Sequence, residues 1–273
     1  MGKKDNSKAK EKRAERKAAE RKMFEMEALR KKTLDAKMNA GIASIKIANM
    51  VEDPLCSLPK PFSVYNKNGL NLSLETVRAS DLDEQTLAWA FNTVKNSMKP
   101  LYDEARENDP DSYYEAEYGW RECEKMNELR EDMAWFLLVK TEEGSPVAFS
   151  HFRYNMHFDD EVLYCYDLQV ERAYRRKGLG RFMMKVLEML MIKSDMLKLM
   201  CTIFKNDKPE IEFFKTALKF EMDETNMLDK NFQYEILSRY NQIKKRKMEE
   251  ERKKEEICFP KAPVRSCTAA SCC

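Results

Sequence analysis

Residues 161–204 constrain the fold more than any other stretch. They read EVLYCYDLQV, then ERAYRRKGLG, then RFMMKVLEMLMIK, then SDMLKLMCTIF. An apolar, aromatic strand passes through a basic glycine turn into a helix apolar almost all round, and then into a second strand. Strand, helix and strand in that order form a crossover joining two parallel strands. The chain has only 7 glycines in 273 residues, and Gly178 and Gly180 both stand in this turn. A strand that ends in a glycine loop and opens a helix is an anion site, because the first helical turn presents unpaired N–H groups and the positive end of the dipole. Glycine lets that backbone approach phosphate oxygens without a Cβ in the way. Arg175, Arg176, Lys177 and Arg181 add positive charge, which suits a pyrophosphate. The loop lacks the Gly-Lys-Ser/Thr of a P-loop and the third glycine of a dinucleotide fingerprint.

The flanking segments set the fold class. AWFLLVK (134–140), PVAFSHFRY (146–154) and EVLYCYDLQV (161–170) are separated by the turn-like TEEGS and NMHFDD, which predicts an antiparallel meander. KNGLNLSLETV predicts a turn and a strand. SDLDEQTLAWAFNTVKNSMKPLY predicts an amphipathic helix opened by Ser80, with Leu87, Ala90, Phe91 and Val94 on one face. The acidic, tyrosine-bearing residues 103–118 read as a loop or lid, and ECEKMNELR as a short helix. After the crossover come a helix (KPEIEFFKTALKF) and a last strand (FQYEILSRY). The result is an α+β domain, with a mixed but mostly antiparallel twisted sheet and flanking helices.

The ends differ from the body. Residues 3–39 read as one long polar helix, whose second half offers Met23, Met26, Leu29, Leu34 and Met38 for packing. Residues 1–32 carry 13 Lys/Arg against 6 Asp/Glu, and residues 241–273 carry 9 against 5. The net charge of the whole chain is only +2, so the body between these ends is acidic. An acidic body favours a cationic substrate, and basic ends favour an acidic partner such as nucleic acid. This predicts a basic helical extension over 1–53, a catalytic domain over 54–240, and a basic, cysteine-containing disordered tail over 241–273. Lys244-Lys245-Arg246-Lys247 forms a compact cluster that nuclear import could read. No apolar run is long enough to span a bilayer, and the lysine-rich start lacks the apolar core of a secretory signal. The 8 cysteines form no CxxC pair, so free thiols in a reducing compartment are expected. His151 and His157 are the only histidines, and no metal is expected.

Arg175-x-x-Gly178-x-Gly180 resembles the R/Q-x-x-G-x-G/A loop of the GNAT superfamily of acetyl-CoA-dependent N-acetyltransferases, and EFFKTALKFE (212–221) is similar to its second helix motif. DEVLYCYDLQVERAYRRKGLG, TIFK, SHFR, QYEILSR and the opening MGKK…SKAKEK together resemble the NatD-type N-alpha-acetyltransferases, over roughly 54–240. Those enzymes acetylate the N-terminal serine of core histones whose tails begin Ser-Gly-Arg-Gly. The resemblance implies acetyl-CoA as cosubstrate, histone tails as partners, ribosome or chromatin contact through the basic ends, a monomer with no membrane contact, and residence in nucleus and cytoplasm.

It also implies site residues. Coenzyme A would lie where two parallel strands splay apart. The backbone of Leu168, Gln169 and Val170 would hold its pantetheine arm, and Arg175, Arg176, Lys177, Gly178, Leu179, Gly180 and Arg181 its pyrophosphate. Asp207 stands where the family has an asparagine contacting coenzyme A, which makes Asn206 a substitute. Asp167 would be the base, where the family has glutamate; the shorter side chain favours a water relay. Tyr166 would line the same site. Tyr102, Tyr118, Asn155, Thr202 and Tyr234 match positions around the peptide; Tyr118 replaces a tryptophan and Asn155 an aspartate. A peptide α-amine is lost to protonation at pH 7 by only ~1 kcal/mol, against ~4–5 kcal/mol for lysine. Cys165 and Cys201 are read as packing residues rather than acetyl carriers. The alternatives are a GNAT enzyme acting on lysine or a small amine, and a non-catalytic chromatin- or ribosome-binding module.

Overall fold

The computed structural model describes residues 3–108, 119–228 and 233–258. Eight strands form one sheet: β1 (Val64–Lys67), β2 (Leu70–Arg78), β3 (Trp135–Lys140), β4 (Pro146–His157), β5 (Asp160–Val170), β6 (Lys198–Phe204), β7 (Glu221–Met222) and β8 (Tyr234–Tyr240). Their spatial order is β1-β2-β3-β4-β5-β6-β8-β7. Every neighbouring pair is antiparallel except β5 and β6, which run parallel. The helix α4 (Leu179–Lys193) makes the crossover between them.

Helices cover both faces of the sheet, which explains why β3 reads WFLLV without a polar position before its terminal Lys140. Trp135, Leu137 and Val139 face one core with Met183, Leu187 and Leu190 of α4. Phe136 and Leu138 face a second core with Leu87, Ala90 and Val94 of α2 (Glu84–Asn108). Alternating side chains on a strand point to opposite faces, so a strand buried on both has no solvent side. Asn68 and Gly69 adopt φ of 53° and 74°, the left-handed pair that a two-residue hairpin between β1 and β2 requires.

Several expectations change. The cap of α2 is Asp83, not Ser80: its carboxylate accepts from the Thr86 N–H at 2.8 Å and from the Thr86 hydroxyl at 2.7 Å. The helix runs on through Pro100 to Asn108, so the start of the expected acidic loop is helical. The rest of that loop, residues 109–118, lies outside the described residues, and so does Tyr118. The helix after β6 is not a single α-helix. It starts as α5 (Lys208–Ile211) and widens to a π-helical turn over Glu212–Ala217, with the Leu218 N–H reaching the Phe213 carbonyl at 3.0 Å.

The N-terminal helix α1 extends over Lys3–Met50, and of the five residues expected to pack only Met38 is half-buried. Met23 and Met26 are 64% and 66% exposed, and Leu29 and Leu34 are exposed as well. The docked part is the last turns. Lys37 pairs with Asp160 at 2.7 Å, Ile45 and Ala48 enter the core, and the Asn49 carbonyl accepts from Arg78. A Cβ at Gly41 would lie 2.7 Å from the Glu161 carboxylate, so glycine permits this close approach.

Residues 242–258 form a helix, α6, where the sequence suggested a tail. Asn241 is buried and its side-chain oxygen caps the first turn at 3.2 Å. Lys244 pairs with Glu161 at 2.6 Å and Asp195 at 2.9 Å, and the Lys245 ammonium lies 4.0 Å from the Tyr240 ring centre. Half of the basic cluster at 244–247 is therefore engaged by the body. No helix among the described residues is long and apolar enough to cross a membrane.

Candidate active site

The parallel pairing of β5 and β6 covers only Val162–Cys165 against Lys198–Cys201. Beyond Cys165, β5 runs on to Val170 beside β4, while β6 continues to Phe204 paired only with β8. A cleft opens between them. It holds a cavity of about 590 Å³ lined by Leu168, Gln169 and Val170 on one wall and by Asp207, Glu210 and Phe213 on the other. The loop residues Arg175, Arg176, Gly178, Leu179, Gly180 and Arg181 close one end. Ten of the twelve expected coenzyme-binding residues thus share one cavity.

The remaining two point elsewhere. The Lys177 carbonyl accepts from the Tyr65 hydroxyl at 2.5 Å and from the Asn68 amide at 2.9 Å, tying the loop to the first hairpin. Asn206 donates to the Leu101 carbonyl at 3.2 Å and to Glu104 at 3.1 Å, so it braces α2 and does not line the cavity. Asp207 is the one at the wall, where it caps the next helix by accepting from the Glu210 N–H at 2.9 Å.

The two loop glycines serve different needs. Gly178 has φ of 83°, and a Cβ there would lie 2.8 Å from the Tyr65 hydroxyl. Gly180 has no such conformation; a Cβ there would project to 3.4 Å from the Phe213 ring and 4.0 Å from Val170, both cavity walls. A side chain at 180 would fill the mouth of the cleft, at the helix terminus where free N–H groups face an anion. These residues fit a ligand with an extended arm and a pyrophosphate.

Asp167 is not a free carboxylate. It is 6% exposed. Both its oxygens lie within 3.4–3.5 Å of the Lys125 ammonium, and the His151 Nδ1 is 3.5 Å away. Burial pushes its pKa up, but Lys125 and then His151 outweigh that and hold the carboxyl below its ordinary range. Asp167 is therefore a weak base. Lys125 also pairs with Glu128 at 2.9 Å; burial opposes its charge, and the two carboxylates more than compensate. Glu128, His151 and Asp167 can bring three donor atoms within 4.8 Å of one another, a grouping that sequence spacing did not reveal. The Lys125 ammonium already supplies a cation to both carboxylates. Among the described residues, neither ring nitrogen of His151 has a hydrogen-bond partner.

The other expected residues gather beyond Asp167. The β4–β5 register shifts between His151 and Phe152, which leaves Tyr166 as the extra residue of a β-bulge. Its hydroxyl accepts from the Asn155 amide at 2.9 Å, and the Arg153 guanidinium lies 4.6 Å from its ring centre. Tyr164 packs at a tilt on Tyr166 with ring centres 4.9 Å apart and is hydrogen-bonded to Thr202. Tyr102 packs edge-on against Phe204 at 4.7 Å, and Tyr234 pairs with Phe204 across β6 and β8. Cys165 and Cys201 are buried, and burial pushes the Cys165 thiol up to about 12 and the Cys201 thiol well above its usual value. Both stay protonated, which disfavours an acetyl-cysteine route.

Residues 95–220 match the family model described as Acetyltransferase (GNAT) family. The chain has the GNAT fold, and the match takes in β3 to β6 with the glycine loop and the crossover. Solved structures similar to it include a GNAT-family acetyltransferase from Listeria monocytogenes 4b F2365, 11% identical, covering 65% of this chain and 99% of that one, with a TM-score of 0.42. Another is the PaiA N-acetyltransferase of Thermoplasma acidophilum in complex with coenzyme A, 16% identical, covering 62% and 99%, with a TM-score of 0.43. A third is Arabidopsis thaliana Naa50 in complex with the bisubstrate analogue CoA-Ac-MVNAL, 15% identical, covering 62% and 97%, with a TM-score of 0.41.

Around this cleft, sequence reasoning missed Lys125, Arg153, Tyr164 and Glu210. Lys125 sits in a short amphipathic helix far from the motif and carries no local signal. Glu210 follows Pro209 in a helix start, where a glutamate is an ordinary first-turn residue. Neither becomes conspicuous until the fold brings it to Asp167 or to the cleft.

Proposed function

We propose that this chain is an acetyl-CoA-dependent N-acetyltransferase that acts on peptide α-amines, with N-termini beginning Ser-Gly-Arg-Gly as its substrates. The observation that carries the first half is the end of β5–β6 pairing at Cys165 and Cys201. It leaves the edge of 166–170 open along a cavity whose far end is the basic glycine loop. An extended arm can add to an open strand edge, here through Leu168, Gln169 and Val170. Arg175, Arg176 and Arg181, with the N-terminus of α4, then take the pyrophosphate.

The choice of amine rests on the weakness of the base. Asp167 is held ionised by Lys125 and gives little drive for taking a proton. An α-amine needs little help at pH 7, whereas a lysine side chain must first lose ~4–5 kcal/mol. Water relayed to Asp167 is enough for the former. Tyr166, Asn155, Thr202, Tyr102 and Tyr234 would line the path of a peptide N-terminus. The acidic body complements the arginine of Ser-Gly-Arg-Gly.

The test is transfer of labelled acetyl from acetyl-CoA to two peptides. One begins with free Ser-Gly-Arg-Gly and contains internal lysines; the other is identical with a blocked N-terminus. Label on the free peptide alone supports the reading. Equal label on both moves the assignment to lysine, and label on neither rejects it for these substrates.

A further inference from the structure

The cavity wall carries one carboxyl group that the proposed chemistry has not yet used. Glu210 lines the same cavity as the open edge of β5, and its Oε2 is buried without a hydrogen-bond partner among the described residues. Its backbone N–H is already capped by Asp207, so the side chain is not needed to start the helix. The other titratable residues on this wall are three arginines, Tyr174 and Asp207. The arginines cannot release a proton, and Asp207 is occupied as the cap.

The position of Glu210 along the cleft matters. Glu210 stands in the first turn of α5, just after β6, and lines the cleft together with Leu168, Gln169 and Val170 of the β5 edge. Cys165 and Cys201 are the last parallel pair before the strands part. An arm laid from the loop along the β5 edge would run past Glu210.

We propose that Glu210 is the acid that hands a proton to the leaving sulfur during acetyl transfer. This rests on the thioester reading above. The amine nitrogen attacks the carbonyl carbon, the C–S bond breaks, and sulfur departs with the bonding pair. Glu210 gives its proton to that sulfur. It regains one, through water, from the nitrogen, which sheds a proton as it becomes an amide. Nothing else is consumed.

Charge on the surrounding groups favours the protonated form. Burial first, then the like charges of Asp207 and Asp167, push the Glu210 carboxyl up to about 8. An acid of that strength is still loaded at neutral pH and close in affinity to a thiol.

The experiment compares the full-length wild type with Glu210→Gln and Glu210→Ala, using whichever free-amine peptide the wild type acetylates. Coenzyme A affinity is measured by calorimetry, and a protonated carboxyl is sought by difference infrared spectroscopy of the ligand-free protein at pH 6 against pH 10. The expected result is a fall in kcat of about 10²-fold or more in Glu210→Gln, with coenzyme A affinity within about twofold of wild type by the same principle that acid–base groups act on the transition state. The wild-type kcat should decline above about pH 8, and the variant should lose that limb. The infrared band should vanish in Glu210→Gln, and added formate should restore part of the activity of Glu210→Ala. A Glu210→Gln variant with wild-type kcat and pH profile overturns the inference and leaves the acetyltransferase reading standing. So does loss of coenzyme A binding in that variant, which makes Glu210 a binding residue. A wild type that acetylates no amine overturns both. Should Glu210→Gln fail to fold, a wild type with no carboxyl titrating near pH 8 in the infrared overturns it.

Discussion

The Lys125 ammonium lies 3.4 Å from the Asp167 carboxylate, and the two side chains are 12% and 3% exposed. This pair makes the carboxylate proposed as the base a fixed, weakly basic charge. It also makes Lys125 a stability element. Lys125→Met leaves Asp167 buried and unpaired by its main cation, a change that costs about 3–5 kcal/mol for buried pairs. Urea unfolding at pH 7 should show that loss. The folded Asp167 carboxyl is depressed, so its contribution is complete above the unfolded value of about 3.9. It fades as pH falls through the lower folded value. The gap between wild type and variant should therefore narrow in acid, and a gap that is constant from pH 7 to pH 3 would refute the assignment.

The two loop glycines should separate stability from binding. Gly178→Ala puts a Cβ on a backbone with φ of 83° and within 2.8 Å of the Tyr65 hydroxyl. A left-handed non-glycine residue costs about 1–2 kcal/mol, and the clash adds to it. Gly180→Ala meets only ordinary contacts at 3.4 Å or more and gains helix propensity of about 0.5–1 kcal/mol. Thermal unfolding should fall for the first and hold or rise for the second. Calorimetry should show weaker coenzyme A binding for both. Equal thermal stability of the two variants would contradict the geometry.

Much of the sheet was legible in the sequence. The meander strands and the crossover announce themselves by apolar runs between turn residues, and the basic glycine loop by composition alone. The hidden parts depend on contacts far apart in sequence. Nothing local says that α1 docks by Ile45 and Ala48 rather than by Met23 and Leu29, since both stretches are amphipathic enough to pack. Ser80 is as good a capping residue as Asp83; the extra 3-10 turn at Ala79–Asp81 decides between them. Asp167 was legible as a carboxylate in a strand, but its neutralising partner comes from residue 125. The π-helical turn at 212–217 has no sequence signature of its own.

Shortening α1 should show where its docking begins. Residues 12–36 are exposed along their length, and the contacts start at Lys37. Removing residues 1–34 should change unfolding stability by no more than about 1 kcal/mol, the range of surface changes. Removing residues 1–50 deletes Lys37, Ile45, Ala48 and the Asn49 carbonyl that satisfies Arg78. Each buried aliphatic side chain contributes about 1.5–3 kcal/mol, so this longer deletion should lower the midpoint sharply or abolish cooperative unfolding. A stable domain beginning at residue 51 would overturn this account of the boundary.

Arg181 offers the cleanest test of the anion site. It stands in the first turn of α4, lines the cavity, and is the last of the loop cations. A hydrogen bond to a charged group contributes about 1.5–3 kcal/mol, so Arg181→Ala should weaken coenzyme A by roughly 10- to 100-fold. Part of that attraction is screened by salt, so the variant's affinity should also depend less steeply on ionic strength. Arg172→Ala is the control, because Arg172 is exposed and does not line the cavity; its effect should stay within about twofold, as for ordinary surface positions. Dephospho-coenzyme A and pantetheine narrow the contact further. Arg181→Ala should lose little affinity for pantetheine, which lacks the pyrophosphate. An equal loss for pantetheine and coenzyme A would mean that Arg181 shapes the cleft rather than binding the anion.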